Sequence, residues 1–148
     1  MESHFGKVIE ILLVEDNPGD AKLAMVALRK AKVLNHITHV QDGVEAMDFL
    51  RRQEKYADAV RPDLILLDLN LPKKDGREIL KEIKNDENLM RIPVVVLTVS
   101  SADEDIITSY NLHANCFITK PIDVNNFMNV VQQIESFWLT IVKLPDAR

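Results

Sequence analysis

The sequence predicts an α/β fold built on one parallel sheet, and three observations carry that reading. Short runs of branched aliphatic residues alternate with stretches of helical periodicity from one end of the chain to the other. These runs are apolar at nearly every position, as strands covered on both faces are. Chain-turning residues separate the two kinds of segment, among them Asn17-Pro18, Asp42-Gly43, Pro62-Asp63 and Pro93. Five strand–helix units in succession place helices on both sides of the sheet.

Residues 8–14 predict the first strand, and Asp16-Asn17-Pro18 then starts a helix with proline near its first position. Ala24, Leu28 and Ala31 continue that helix. Asn35–Val40 is a weaker second strand closed by Asp42-Gly43, after which Val44, Met47 and Leu50 line a second helix. Residues 53–61 are polar and show no clear period, so they read as helix end and loop. Leu64–Asp68 is a third strand, 71–76 a loop by its turn residues, and Ile79, Leu80 and Ile83 mark a third helix. Val94–Thr98 follows Pro93 as the fourth strand. A short helix over 103–111 and a short strand over Cys116–Thr119 come next. The last helix runs from a cap at Asp123 to about residue 142, with Pro145 beyond its end.

A chain of 148 residues reads as a single domain over 1–148, with the last helix and tail occupying 123–148. The formal net charge is -5 and no run of Lys or Arg forms a stripe, which argues against direct nucleic-acid binding. Cys116 is the one cysteine, so no internal disulfide forms, in keeping with a reducing compartment. Residues 1–7 contain no apolar signal core, and no apolar run is long enough to span a bilayer. The expected location is the cytoplasm, without a membrane partner.

In open parallel sheets, ligands bind at the carboxyl ends of the strands, where the strand order reverses. The first strand ends on Glu15 and Asp16, and the third ends on Asp68 with Asn70 two residues on. Thr98 closes the fourth, and Lys120-Pro121 follows the fifth. Three converging carboxylates repel one another and call for a hard divalent cation, and Mg2+ suits an oxygen-only set that leaves room for phosphate oxygens. His4, His36, His39 and His113 lack ligand spacing for a softer metal and read as surface or structural residues. A carboxylate can attack phosphorus to give an aspartyl phosphate. The metal and Lys120 offset charge on the phosphoryl oxygens, and the Thr98 hydroxyl donates a hydrogen bond to one of them. Asp68, ending the central strand, is the expected nucleophile.

Glu15-Asp16, Asp68, Thr98 and Lys120-Pro121 together resemble the signature of the bacterial two-component receiver domain. Thirty residues separate Asp68 from Thr98 and twenty-two separate Thr98 from Lys120, which fits that family, and the resemblance spans essentially the whole chain. It implies a flavodoxin-like, three-layer (βα)5 fold with strand order 2-1-3-4-5. It further implies that Asp68 is the phosphoacceptor, fed by a sensor histidine kinase. Glu15, Asp16, Asp68 and the Asn70 backbone carbonyl would form the Mg2+ site, Glu15 through water. Thr98 would be the switch hydroxyl, Lys120 the phosphate clamp and Phe117 the aromatic that changes rotamer, with a cis bond before Pro121. Asn70 and Ser100 would tune dephosphorylation. The kinase would dock on the first helix, around Ala21, Ala24 and Met25.

The segment Glu15-Asp16-Asn17-Pro18-Gly19-Asp20, the long stretch before Pro62, and the ending from Phe137 to Pro145 are similar to the response regulators of cyanobacterial phytochrome kinases. Two positions depart from the wider family: Val99 stands where a small residue is usual, and His113 where glycine is common. Bulk at Val99 would narrow phosphoryl access.

Phe117 is either the switch aromatic or a half-buried strand residue, and Cys116 is a small core hydrophobe. The last helix carries more apolar surface than one sheet face needs, and Phe137, Trp138 and Ile141 predict a homodimer through it. With the chain ending soon after that helix, the signal would leave through a partner protein or a change of oligomeric state. A haloacid-dehalogenase-type enzyme would require an acid at the position of Asn70, which cannot give a proton in that way. A flavodoxin-like cofactor binder would place an anion against Glu15-Asp16. A degenerate receiver, acting as a protein-binding module without phosphorylation, is the alternative that remains open.

Overall fold

The computed structural model describes residues 8–30, 35–99, 116–120, 122–127 and 129–130. Strand β1 spans Ile9–Val14, helix α1 Pro18–Arg29, strand β2 Asn35–Val40 and helix α2 Gly43–Leu50. A single 3-10 turn, Glu54–Tyr56, precedes β3 at Leu64–Asp68. Helix α3 covers Gly76–Asn85, β4 Val94–Thr98 and β5 Cys116–Thr119. Residues 124–127 and 129–130 are helical, and the Asp123 carboxylate accepts the N–H groups of Asn125 and Asn126 as the expected cap.

The sheet is parallel throughout, in the order β2-β1-β3-β4-β5. Alternate side chains of each strand enter opposite layers, the period-two geometry of extended chain. Leu12, Val14, Ile65, Leu67, Val94 and Val96 pack with Met47, Phe49, Ile79 and Ile83 of α2 and α3. Ile11, Leu13, Leu64, Leu66, Val95 and Leu97 pack with Ala24 and Leu28 of α1 and with Phe127. Leu12, Leu13, Ile65, Leu66, Leu67 and Leu97 are fully enclosed. Each such side chain stabilises the fold by about 1.5–3 kcal/mol relative to exposure.

Side-chain caps set where the helices begin. Asn17 Oδ1 accepts the Asp20 N–H at 2.9 Å, Asp42 Oδ1 the Glu45 N–H at 2.8 Å, and Asp75 Oδ1 the Arg77 N–H at 2.8 Å. Each satisfies an amide that the first helical turn leaves unpaired. Pro18 occupies the first turn of α1, where its missing N–H costs nothing.

Several expectations shift. The first strand begins at Ile9 rather than residue 8, and Val8 is exposed. Val44 sits on the outer side of α2 and is exposed, while Met47 and Leu50 are buried as expected. Gly76 is already helical rather than loop. Two of the three residues expected in a docking patch on α1 are corrected: Ala21 and Ala24 are buried against the sheet, because their small side chains are what let the helix approach it, while Met25 is half-buried. The helix expected over 103–111, together with Ala31, Ser100, His113, Pro121, Phe137, Trp138, Ile141 and Pro145, lies outside the described residues.

Candidate functional site

The chain leaves β1 in opposite directions, first to β2 at one side and then to β3 at the other. The crevice this reversal opens lies at the carboxyl ends of β1 and β3. Glu15 follows β1 directly, and its N–H donates to Val40 O at 3.0 Å, which extends the β1–β2 ladder by one bond. Asp68 is the final residue of β3, in register with Leu97, and Thr98 is in register with Thr119. The Lys120 N–H donates to Thr98 O at 2.7 Å, so the lysine starts from a strand end rather than a free loop. Strand pairing alone therefore delivers an acid pair, a third acid, a hydroxyl and a lysine to one edge.

Oxygen atoms of Glu15, Asp16 and Asp68 lie within 4.8 Å of one another, while the three residues differ in exposure. Glu15 and Asp68 are buried, and Asp16 faces solvent. Thr98 is fully buried. The Lys120 ammonium stands 2.9 Å from Glu15 Oε1, 3.1 Å from Asp20 Oδ2 and 3.3 Å from Asp68 Oδ2. The Asn70 N–H donates to Asp68 Oδ1 at 3.1 Å, and the Asn17 N–H to Glu15 Oε2 at 3.1 Å.

One ammonium cannot balance this many carboxylates. Burial pushes the Glu15 carboxyl up to about 7, and the neighbouring Asp68 adds to the rise against the pull of Lys120 and the Asn17 amide. Burial works against the Lys120 cation as well, but its bonds to Glu15, Asp68 and Asp20 outweigh it and hold the ammonium firmly charged. The lysine is saturated with anions, and Glu15 is short of cations.

Lys120 Nζ donates to Glu15 Oε2 at 3.0 Å and lies 2.9 Å from Oε1 as an ion pair, while the buried Oε1 accepts no hydrogen bond among the described residues. An under-bonded carboxylate oxygen beside two further acids fits a divalent cation or its bound water. The donors are all oxygen, the set that magnesium and manganese favour.

The structure thus gathers Glu15, Asp16, Asp68, Thr98 and Lys120 where the sequence puts them, with Asn70 against Asp68. Phe117 is half-buried and packs toward the layer of α2 and α3. Val99 is 60% exposed beyond the end of β4. His36 pairs with Glu10 at 2.9 Å, and His39 Nε2 is 2.7 Å from Glu15 O, so both are structurally engaged rather than grouped for a metal. Sequence reasoning missed Asp20 as a partner of Lys120. Its only local signal is an acid in the first turn of α1, three residues after the cap.

The response regulator receiver domain family matches residues 11–132 of the chain. Response regulator Rcp1 of Synechocystis sp. is 51% identical over 146 residues, covering 99% of this chain and 98% of Rcp1. The structure of the phosphorylated cyanobacterial phytochrome response regulator RcpA shares 52% identity and superposes with a TM-score of 0.79, over 95% of this chain and all of RcpA. The Mn2+-bound form of Rcp1 gives 50% identity and a TM-score of 0.77, over 93% of this chain and 99% of that one.

Proposed function

The chain belongs to the response regulator receiver family, and on that premise we propose that it is a phosphorylation switch that accepts a phosphoryl group on Asp68 from a phytochrome-type histidine kinase. The observation that carries this reading is the setting of Asp68. It is a strand-end carboxylate held at one oxygen by the Asn70 amide and approached at the other by the Lys120 ammonium.

An Asp68 oxygen attacks the phosphorus of the kinase's phosphohistidine. The phosphorus–nitrogen bond breaks, and the imidazole leaves with the bonding pair and takes up a proton. Lys120 offsets charge on the phosphoryl oxygens, and the Thr98 hydroxyl donates to one of them. Glu15, Asp16, Asp68 and the Asn70 carbonyl would hold Mg2+, which supplies charge neutralisation at the transferring group. Capture of related proteins in phosphorylated and Mn2+-bound forms supports both halves of this assignment.

Movement of Thr98 toward the phosphoryl group, with Phe117 following, shifts the protein between two states. The readout is a protein surface or a homodimer formed through the last helix at Phe137, Trp138 and Ile141. Asn70 and Ser100 set the rate at which water removes the phosphoryl group, a weak self-phosphatase activity and the one hydrolytic step assigned to the chain. No described helix is long and apolar enough to cross a membrane, and the proposed site of action is the cytoplasm.

The test is intact mass after incubation with Mg2+ and phosphoramidate, beside Asp68→Asn. A magnesium-dependent phosphoryl adduct absent from the variant is the expected result. No adduct, even with a cognate kinase, would leave the chain a binding module, with Val99→Ala the first change to make.

A further inference from the structure

Lys120 is held by one carboxylate more than the phosphoryl chemistry uses. Asp20 Oδ2 lies 3.1 Å from the ammonium, and its side chain is 21% exposed. Its oxygens are not part of the acid group formed by Glu15, Asp16 and Asp68. The Asp20 main chain is also fixed: its N–H donates to Asn17 Oδ1 at 2.9 Å, and the Asn17 N–H donates in turn to Glu15 Oε2. One side chain therefore sets the α1 cap beside the acid pair while Asp20 reaches Lys120 from the same turn.

Lys120 faces a changed field when a divalent cation enters. A divalent cation held by the acid group would cancel much of the attraction of Glu15 and Asp68 for the ammonium and would repel it. Lysine is a point charge on a flexible four-carbon stem, so nothing intrinsic keeps it near Asp68 once those attractions fade. Asp20 sits outside the acid group and is the carboxylate that keeps its full charge for Lys120.

We propose that Asp20 is a positioning residue that anchors the Lys120 ammonium beside Asp68 when the metal site is filled. This rests on the reading of Asp68 as phosphoacceptor and assigns Asp20 no contact with the phosphoryl group. Its effect is transmitted wholly through Lys120, and that property separates it from an acid that merely supports the start of α1.

The experiment uses the full chain with saturating Mg2+ and phosphoramidate, following adduct formation by intact mass. Asp20→Asn, close to isosteric, is expected to slow labelling about tenfold, as loss of a positioned group does, with its melting temperature near that of the unaltered protein. Lys120→Gln is expected to slow it at least as much. The double variant should be no slower than Lys120→Gln alone, since Asp20 acts only through the lysine. Additive losses in the double variant, or normal labelling of Asp20→Asn, overturn the proposal.

A second readout does not depend on chemistry at Asp68. In protein carrying 15N-lysine, the Lys120 ammonium should give a slowly exchanging signal with Mg2+ bound, lost in Asp20→Asn and recovered in Asp20→Glu. Persistence of that signal in Asp20→Asn overturns the anchor even if the unaltered protein takes no phosphoryl group. Failure of the unaltered protein to label, with the signal behaving as expected, would count against the phosphoacceptor reading alone.

Discussion

Gly76 lies so close to the main chain of Asp68 that a Cβ at Gly76 would stand 2.4 Å from the Asp68 carbonyl oxygen and 2.6 Å from Leu69 Cα. The Gly76 N–H also donates to Leu69 O at 3.0 Å, so the start of α3 is fastened to the backbone that carries the proposed nucleophile. A methyl group there meets main chain rather than a yielding side chain. Gly76→Ala is therefore expected to cost about 1–3 kcal/mol, the range for overpacking, and to slow phosphoryl uptake by displacing Asp68. Thermal melting and adduct mass measure the two effects, and a melting temperature equal to that of the unaltered protein would count against the tight packing.

Asp68 and Glu15 are buried acids drawing on the same ammonium. Replacing Asp68 by Asn keeps an oxygen for the Asn70 N–H and removes one negative charge from the group. Lys120 retains Glu15 and Asp20, so it is not stranded. In chelator, Asp68→Asn should be more stable than the parent by about 0.5–2 kcal/mol, because it relieves the repulsion between two buried acids, while losing all phosphoryl adduct. Urea unfolding decides the first point, and a less stable variant would show that the Lys120–Asp68 pair outweighs the repulsion.

The strands were legible because their composition leaves few alternatives. Leu64–Asp68 and Val94–Thr98 are buried at every position, and only a strand covered on both faces combines that brevity with that apolarity. The acids, Thr98 and Lys120 were legible for a related reason, since each occupies a strand terminus and the parallel sheet puts all those termini at one edge. Asp20 was not, because its partner is a hundred residues away and only the folded sheet brings Lys120 over the first turn of α1. Glu54–Tyr56 was not, because three residues carry no period and their place is set by a tertiary contact, the Tyr56 hydroxyl on Glu45. Burial of Ala21 and Ala24 was misjudged because small apolar residues look the same in sequence whether they admit a partner or the protein's own sheet.

That Tyr56 contact yields a pH prediction. The hydroxyl donates to Glu45 Oε2 at 2.6 Å, Lys55 Nζ lies 3.0 Å from the same oxygen, and the Tyr56 ring packs edge-on against Phe49. The Tyr56 bond, with lesser help from Lys55 and the Gln41 amide, holds the Glu45 carboxyl below its ordinary value of 4.5. A lowered carboxylate contributes stability that is present above the ordinary value and lost as pH falls through the lowered one. Tyr56→Phe should cost about 1 kcal/mol near neutral pH, and the deficit should shrink on the acid side of 4.5. Denaturant unfolding of both proteins across that range measures it, and a deficit independent of pH would assign the loss to packing instead.

Helix α2 ends without the glycine its geometry favours. Arg52 has φ of 56°, in the left-handed region. Its N–H donates to Phe49 O at 3.2 Å, and the Gln53 N–H reaches back to Asp48 O at 2.8 Å. These two bonds form a Schellman closure in which the left-handed residue is usually glycine. An arginine there bears a steric cost of about 1–2 kcal/mol, against which glycine would lose roughly 0.5–1 kcal/mol through its freer unfolded chain. The Arg52 side chain makes no hydrogen bond or ion pair among the described residues, so little is lost with it. Arg52→Gly is therefore expected to stabilise the fold by about 0.5–1 kcal/mol, a rise of roughly 1–4 °C in Tm for a domain of this size. Arg52→Ala keeps the Cβ while removing the guanidinium, and it should leave Tm nearly unchanged. A gain shared by both variants would trace the effect to the arginine charge, whereas a gain confined to glycine would trace it to the backbone.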